Sequence, residues 1–234
     1  MMKAALVGIP QLKVGSHNLR DPRLDQADKM VEAQKKTYAH VELVPEKEMV
    51  TADAILVARA QFSDLLMKDL DFIETRLGRE PGEAEKAVLQ KLAEAVMNEI
   101  PVGKAGLTPE ELQAVAAHGF CTAKPVIVAE EADLAAPDTL LLRAFVEAGW
   151  ICFLTVGGKE NRAWPIRAGL TAWEAAGTIH TDIQKGFIRA EILGFADFVA
   201  AGGETEAKRA GKVRLELKDY VMQDYDLVNF RHNK

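Results

Sequence analysis

Three strand-sized apolar runs, Ala4–Ile9, Ala54–Ala58 and Val126–Ala129, stand far apart in the chain, and the spacing between them restricts the fold most. A short apolar run without alternation suits a strand buried on both faces, as in a parallel sheet flanked by helices. The intervals supply those helices. Leu24–Lys36 reads as helical, with Met30 and Val31 as apolar positions, and Tyr38–Val44 alternates like a strand. Leu65, Leu66, Leu70, Ile73 and Leu77 keep helical spacing, as do Val88, Leu89, Leu92, Val96 and Ile100. The turn Gly78–Gly82 joins them, so a helical hairpin is expected over about residues 63–100. Thr108-Pro109-Glu110-Glu111 combines an N-cap, a proline at the first helical position and a capping-box glutamate, opening a helix expected to reach His118. A last helix, Thr139–Glu147, ends at Gly149. Strands alternating with helices predict an α/β layer structure for residues 1–148.

Beyond Gly149 the pattern changes. Ile151–Val156, Gly157-Gly158 and Asn161–Ile166 read as strand, turn and strand. A second capping box, Thr171 to Glu174, opens a short helix to about Ile179. Strands are expected at Phe187–Leu193, Tyr220–Gln223 and Asp226–Arg231, with a charged excursion at Glu204–Lys212. A hairpin, a helix and further strands make a β-grasp-like α+β module over residues 149–234. Charge is divided in the same way. Residues 1–148 carry 17 basic and 24 acidic side chains, whereas 149–234 carry 12 and 11. A polyanion-binding surface would therefore sit in the last third, as a local patch.

Residues 149–234 resemble the C-terminal TGS domain of the YchF/Obg-like ATPase family. The segments that carry the resemblance are 157–164, 175–182, 185–191, Ala210-Gly211-Lys212 and Lys218-Asp219-Tyr220. The first part is similar to the same family through Asp21–Gln26, through Asp69-Leu70-Asp71 on the helical hairpin, and through Lys124-Pro125 before a strand. The resemblance implies a truncated, three-layer α/β domain like that of P-loop NTPases, with the hairpin inserted, over residues 1–148. A TGS domain of β-grasp type would follow over 149–234.

Departures from the family pattern bear on activity. A phosphate loop needs G-x-x-x-x-G-K-[ST] between a strand and a helix. Gly8 starts such a register, but the Gly-Lys-Ser/Thr positions read Lys13-Val14-Gly15. Gly8, Lys13, Gly15 and Ser16 are thus at most a vestigial loop. The second switch should follow Tyr38–Val44 with Asp and Gly, and the chain has Pro45-Glu46-Lys47-Glu48. In place of an asparagine-type base-reading motif after Val126–Ala129 stand Glu130-Glu131-Ala132-Asp133. Phosphoryl transfer rests almost wholly on positioning and electrostatics, so no catalysis is expected without these parts, and no cofactor.

The remaining chemistry is sparse. Five histidines show no zinc-ligand spacing, so no metal site is expected. Ser16 and Ser63 are the only serines, and neither lies in a nucleophile elbow. Cys121 and Cys152 read as small buried hydrophobes in a reducing cytosol. Carboxylates of the hairpin, among them Asp69 and Glu85, read as a solvated helical face. There is no membrane-length apolar run and no signal-peptide pattern, so a cytoplasmic protein is expected.

The turn Ile179-His180-Thr181-Asp182 resembles a His-x-Asp turn in TGS domains of the stringent-response synthetases, where it helps recognise the tRNA acceptor end. A histidine there stacks on an unpaired base, and Lys185, Arg189, Lys159, Arg162 and Arg167 would meet phosphates. The competing structural reading gives His180 to a helix C-terminus and Asp182 to an Asx-turn. The sequence-based expectation is a non-catalytic adaptor binding RNA, tRNA, the ribosome or a translation factor. Alternatives are residual ATP or GTP binding, and a regulatory TGS domain holding a small ligand. A homodimer through the shortened α/β domain is a further expectation, since lost strands expose an edge.

Overall fold

A computed structural model describes residues 1–233. Chain contacts divide it into two compact units. One comprises residues 3–16 and 42–148, the other residues 1–2, 17–41 and 149–234. The chain passes from one unit to the other between Ala148 and Gly149, and the segment 17–41 groups with the C-terminal residues.

In the first unit, β1 (Met2–Val7), β5 (Ala54–Ala58) and β6 (Val126–Ala129) are the three apolar runs. They pair in parallel, Ala4 with Ala54 and Ile55 with Val126. With β2 (Gly15–Asn18) and β4 (His40–Pro45) they form a sheet of order β2-β4-β1-β5-β6. α2 (Arg59–Leu77) and α3 (Glu83–Met97) form the expected helix pair. Their Leu65, Leu66, Ile73, Leu89 and Leu92 are at most 1% exposed and share one core with Ala5, Val7, Ile55 and Val57. Each such leucine contributes roughly 1.5–3 kcal/mol when fully buried, so the helical stripe fixes the pair on the sheet. α4 (Pro109–Ala114) keeps the Thr108 capping box but ends short of His118. α5 (Glu131–Leu134) and α6 (Pro137–Glu147) follow β6.

Two hairpin carboxylates depart from the solvated face expected of them. Asp69 is 2% exposed. It accepts the N–H groups of Cys121 (2.6 Å) and Thr122 (2.8 Å) and the Thr122 hydroxyl (2.6 Å). Glu85 accepts from Arg76 through Nε (2.6 Å) and Nη2 (2.8 Å) and meets His118 Nε2 at 2.9 Å. The sheet edges are not apolar openings either. β2 is four polar or small residues, and Arg143 donates to the Val128 carbonyl of β6 at 2.8 Å.

The second unit contains a six-stranded sheet of order β10-β9-β11-β7-β8-β3. Its strands are β3 (Lys35–Thr37), β7 (Trp150–Thr155), β8 (Glu160–Arg167), β9 (Phe187–Leu193), β10 (Arg214–Glu216) and β11 (Leu227–His232). β7 and β8 form the expected antiparallel hairpin, Phe153 opposite Trp164. α7 (Ala172–Ile179) lies on one face, its Ala172, Ala175 and Ala176 fully buried with Phe153, Ile166, Ala190 and Ile192. α8 (Thr181–Lys185), α9 (Phe195–Ala201) and α10 (Glu204–Arg209) complete the unit. The strand expected at Tyr220–Gln223 is reduced to one bridge between Thr171 and Val221. Its main chain is used otherwise: the carbonyls of Lys218 and Tyr220 accept from the N–H groups of Trp173 (3.1 Å) and Ala172 (2.8 Å). Those are orphan donors of the first turn of α7.

α1 (Pro22–Met30) is shorter than the predicted Leu24–Lys36 helix, because residues 35–37 leave it to pair in parallel with β8 as β3. Asp21 caps it. Arg23 then clamps Asp21 (Nη2 at 2.7 Å) and Asp224 (Nη1 at 2.7 Å), with its guanidinium 3.6 Å from the centre of the Tyr225 ring.

Candidate functional site

The vestigial loop has a definite geometry. Gly8 leaves β1 at φ +69°, and a Cβ there would collide with the Gln61 side chain. From Gly8 the chain passes through an irregular stretch of turns and bends, which contains Lys13, straight into β2, which begins with Gly15 and Ser16. Among the described residues no helix follows β1 before α1, so no helix N-terminus faces the end of that strand. Such an N-terminus, with its free N–H groups, is what a phosphate loop uses. At the carboxyl ends of β5 and β6, Arg59 donates to Glu130 through Nε (2.9 Å) and Nη2 (2.5 Å). The Glu130 N–H donates to Asp133, which also accepts from Arg143 (2.9 Å). Glu130 and Asp133, two of the carboxylates that replace a base-reading motif, are thereby engaged in the chain's own ion pairs.

At the other candidate site, α7 and α8 meet in a corner centred on His180. This residue ends α7 and also caps α8: its Nδ1 accepts from the Asp182 N–H at 3.1 Å. The structural role expected of Asp182 as an Asx-turn acceptor is thus taken by the histidine, and Asp182 is the donor. Both side chains are largely exposed, at 62% and 77%. Lys185 lies in the last turn of α8 and is exposed as well. Gly177 lets the two helices close, since a Cβ on it would lie 2.7 Å from the Gln184 side chain.

The other basic residues are not gathered there. Lys159 is exposed at the β7–β8 turn. Arg162 is half-buried, stacked 3.9 Å from the centre of the Trp164 ring and 3.8 Å from Glu160. Trp164 packs against the core beneath α7, and residues two apart on a strand share a face, so Arg162 lies on the α7 side of the sheet. Arg167 is stacked 4.5 Å from the Trp150 ring centre. Alternation along β8 and β9 sends Arg167 and Arg189 to the opposite face. His180, Asp182 and Lys185 therefore form one exposed corner, and the four arginines and lysines around them are spread over a turn and both faces.

The thiols are poor nucleophiles. Burial pushes both Cys121 and Cys152 above the ordinary thiol range. Tyr220 of the Lys218–Tyr220 segment is pushed up to about 12, chiefly by burial and then by its hydrogen bond to Asp226 (2.9 Å).

Two sheets, one with parallel strands packed under helices and one of hairpins crossed by a short helix, define a two-unit mixed α/β protein. A solved structure of the Schizosaccharomyces pombe YchF GTPase matches with a TM-score of 0.76 at 18% identity, covering 98% of this chain and 97% of that one. The family model YchF-GTPase_C, described as a protein of unknown function (DUF933), matches residues 150–233. The "Ribosome-binding ATPase YchF" of Haemophilus influenzae is 30% identical over 233 residues, covering 73% of this chain and 64% of the relative. That of Bacillus subtilis is 47% identical over 96 residues, covering 41% and 26%. The chain belongs to the YchF family, and it spans less than two thirds of the length of these curated relatives. Among the described residues, no helix is long and apolar enough to cross a membrane.

Proposed function

We propose that the chain is a non-catalytic YchF-family adaptor that acts on the ribosome in the cytoplasm, with the corner of His180, Asp182 and Lys185 meeting RNA. In this reading residues 149–234 are a TGS-type β-grasp module, and α2 and α3 are the hairpin inserted in a remnant NTPase domain. The observation that carries it is the passage from β1 through Gly8 into β2 without an intervening helix. Without that helix the backbone offers no phosphate cradle, and Lys13 stands three positions after Pro10 in an irregular stretch rather than at the start of a helix. Ribosome association is supported by the similarity to the Haemophilus influenzae and Bacillus subtilis proteins named ribosome-binding ATPases.

Two measurements test it. Calorimetric titration with Mg·ATP and Mg·GTP should give no heat, where a full-length family member does; saturable heat would return the chain to the nucleotide-binding class. Cosedimentation with ribosomes should occur and weaken about tenfold when His180 and Lys185 are both changed to alanine, the scale of a lost stacking and a lost phosphate contact. Undiminished cosedimentation of that variant would remove the corner from the interface.

A further inference from the structure

The parallel ladder between β7 and β11 has one register pair, Leu154 with Leu227. β7 ends at Thr155, whereas β11 continues to His232. Beyond the end of β7, among the described residues, no strand pairs with β11 on that side. The Leu154 N–H donates to the Asp226 carbonyl at 2.8 Å, so by alternation the main-chain groups of Val228 and Phe230 also point towards the β7 side. They border a cavity of about 520 Å³. Ile179 and Ile183 of the α7–α8 corner wall it together with Val156 of the turn, and Phe230 of β11 lies in its lining. The Phe230 carbonyl meets the His232 ring of its own strand, Nδ1 at 3.1 Å.

The charge of this lining has one sign. Glu191 and Glu204 contribute, and no lysine or arginine of the described residues does. Glu191 is held by Asn229 (3.0 Å) and by Arg231 Nε (2.9 Å), whereas Glu204 is exposed in the first turn of α10. An open strand edge, apolar pockets beside it and a carboxylate at the rim together specify one kind of occupant.

We propose that this cavity binds an extended peptide segment, which continues the line of β7 alongside Val228–His232, places alternate apolar side chains against Ile179, Ile183 and Phe230, and directs a lysine or arginine to Glu204. Main-chain bonds to a strand edge give the affinity in such recognition, and alternate side-chain pockets give the selectivity. The His232 ring leaves the Phe230 carbonyl when the peptide takes it.

The test uses the full chain and a fluorescein-labelled, acetylated hexapeptide of alternating valine and lysine, followed by anisotropy. Saturable binding is expected, and it should disappear when alternate peptide amides are N-methylated. Glu204→Lys changes an exposed helical residue, so the chain keeps its melting temperature; it should weaken the valine–lysine peptide about tenfold and strengthen a valine–glutamate peptide. Ile183→Asp should abolish both. Absence of saturation up to about 1 mM, the weak limit of specific recognition, would overturn the proposal. So would equal binding of the N-methylated peptide, which would leave only a charge attraction.

Discussion

Asp69 and Glu85 show why two identical-looking helical carboxylates need separate treatment. Both fall among polar residues of an amphipathic helix pair, where water is the default partner. Asp69 instead organises the turn Cys121–Ala123 by accepting three donors, and Thr122 Oγ1 in turn accepts from the Val102 N–H at 3.0 Å. Asp69→Ala leaves buried donors without a partner, and a buried unsatisfied group costs about 1–3 kcal/mol. The expected loss is about 3 kcal/mol, read from the urea midpoint; Thr122→Val, which keeps both main-chain bonds to Asp69 but strands the buried Val102 N–H, should cost about 1–2 kcal/mol. An alanine variant as stable as the parent would show that the turn re-forms without the carboxylate.

Glu85 acts through charge. The Arg76 hydrogen bonds, with His118 also contributing, hold its carboxyl down at about 2, against an ordinary value of 4.5. A carboxylate depressed in the folded state contributes stability that is fully present above the unfolded value and is lost as pH falls through the folded one. Contact among α2, α3 and the segment bearing His118 should therefore weaken between about pH 4.5 and pH 2. Glu85→Gln should flatten the stability profile in that window and lower the neutral-pH plateau. A parallel, unshifted profile would exclude the pair from acid unfolding.

Among the elements, those whose evidence is local were legible in the sequence. The buried strands β1, β5 and β6, the α2–α3 pair and both threonine capping boxes follow from periodicity and from the side-chain chemistry of helix starts. The elements that were not legible depend on partners distant in sequence. Lys35-Lys36-Thr37 has neither alternation nor apolar content, and becomes β3 because Glu160–Arg162 offers an edge. Arg214–Glu216 becomes β10 because β9 does the same. The converse holds for Tyr220–Gln223, which has strand composition but gives its Tyr220 carbonyl to the first turn of α7. The site was legible to the same degree. The His180–Lys185 corner is continuous in sequence and emerges intact, whereas Arg162, Arg167 and Arg189 are parted by strand alternation that a charge count does not register. The β11 edge had no sequence signal, since it exists only because β7 stops first.

At the scale of the whole chain, the C-terminal module is not a contiguous piece of sequence. Asn161 is fully buried, and its Nδ2 donates to Asp28 Oδ1 (2.8 Å) and the Val31 carbonyl (2.7 Å). Leu24 and Ala27 of α1 are also fully buried. Asp224, which accepts the Cys152 N–H at 3.0 Å, is neutralised by Arg23. A fragment cut at residue 149 loses all of these together with β3. Its Asn161 keeps no protein acceptor, and its Asp224 no guanidinium. Burial of a leucine such as Leu24 contributes about 1.5–3 kcal/mol, and 1 kcal/mol moves the melting temperature of a domain of this size by about 4–8 °C. Fragment 149–234 should therefore melt at least about 10 °C below a chimera in which residues 17–41 are joined to it by a flexible linker. Equal melting temperatures would mean that α1 and β3 decorate a module already complete. A lower one means that Asp21–Gln26, a segment that resembles the family's nucleotide-binding half, is held in this chain by the C-terminal sheet. Retention of the segment would then depend on Asp224 and Asn161 rather than on a phosphate, as the proposed non-catalytic role requires.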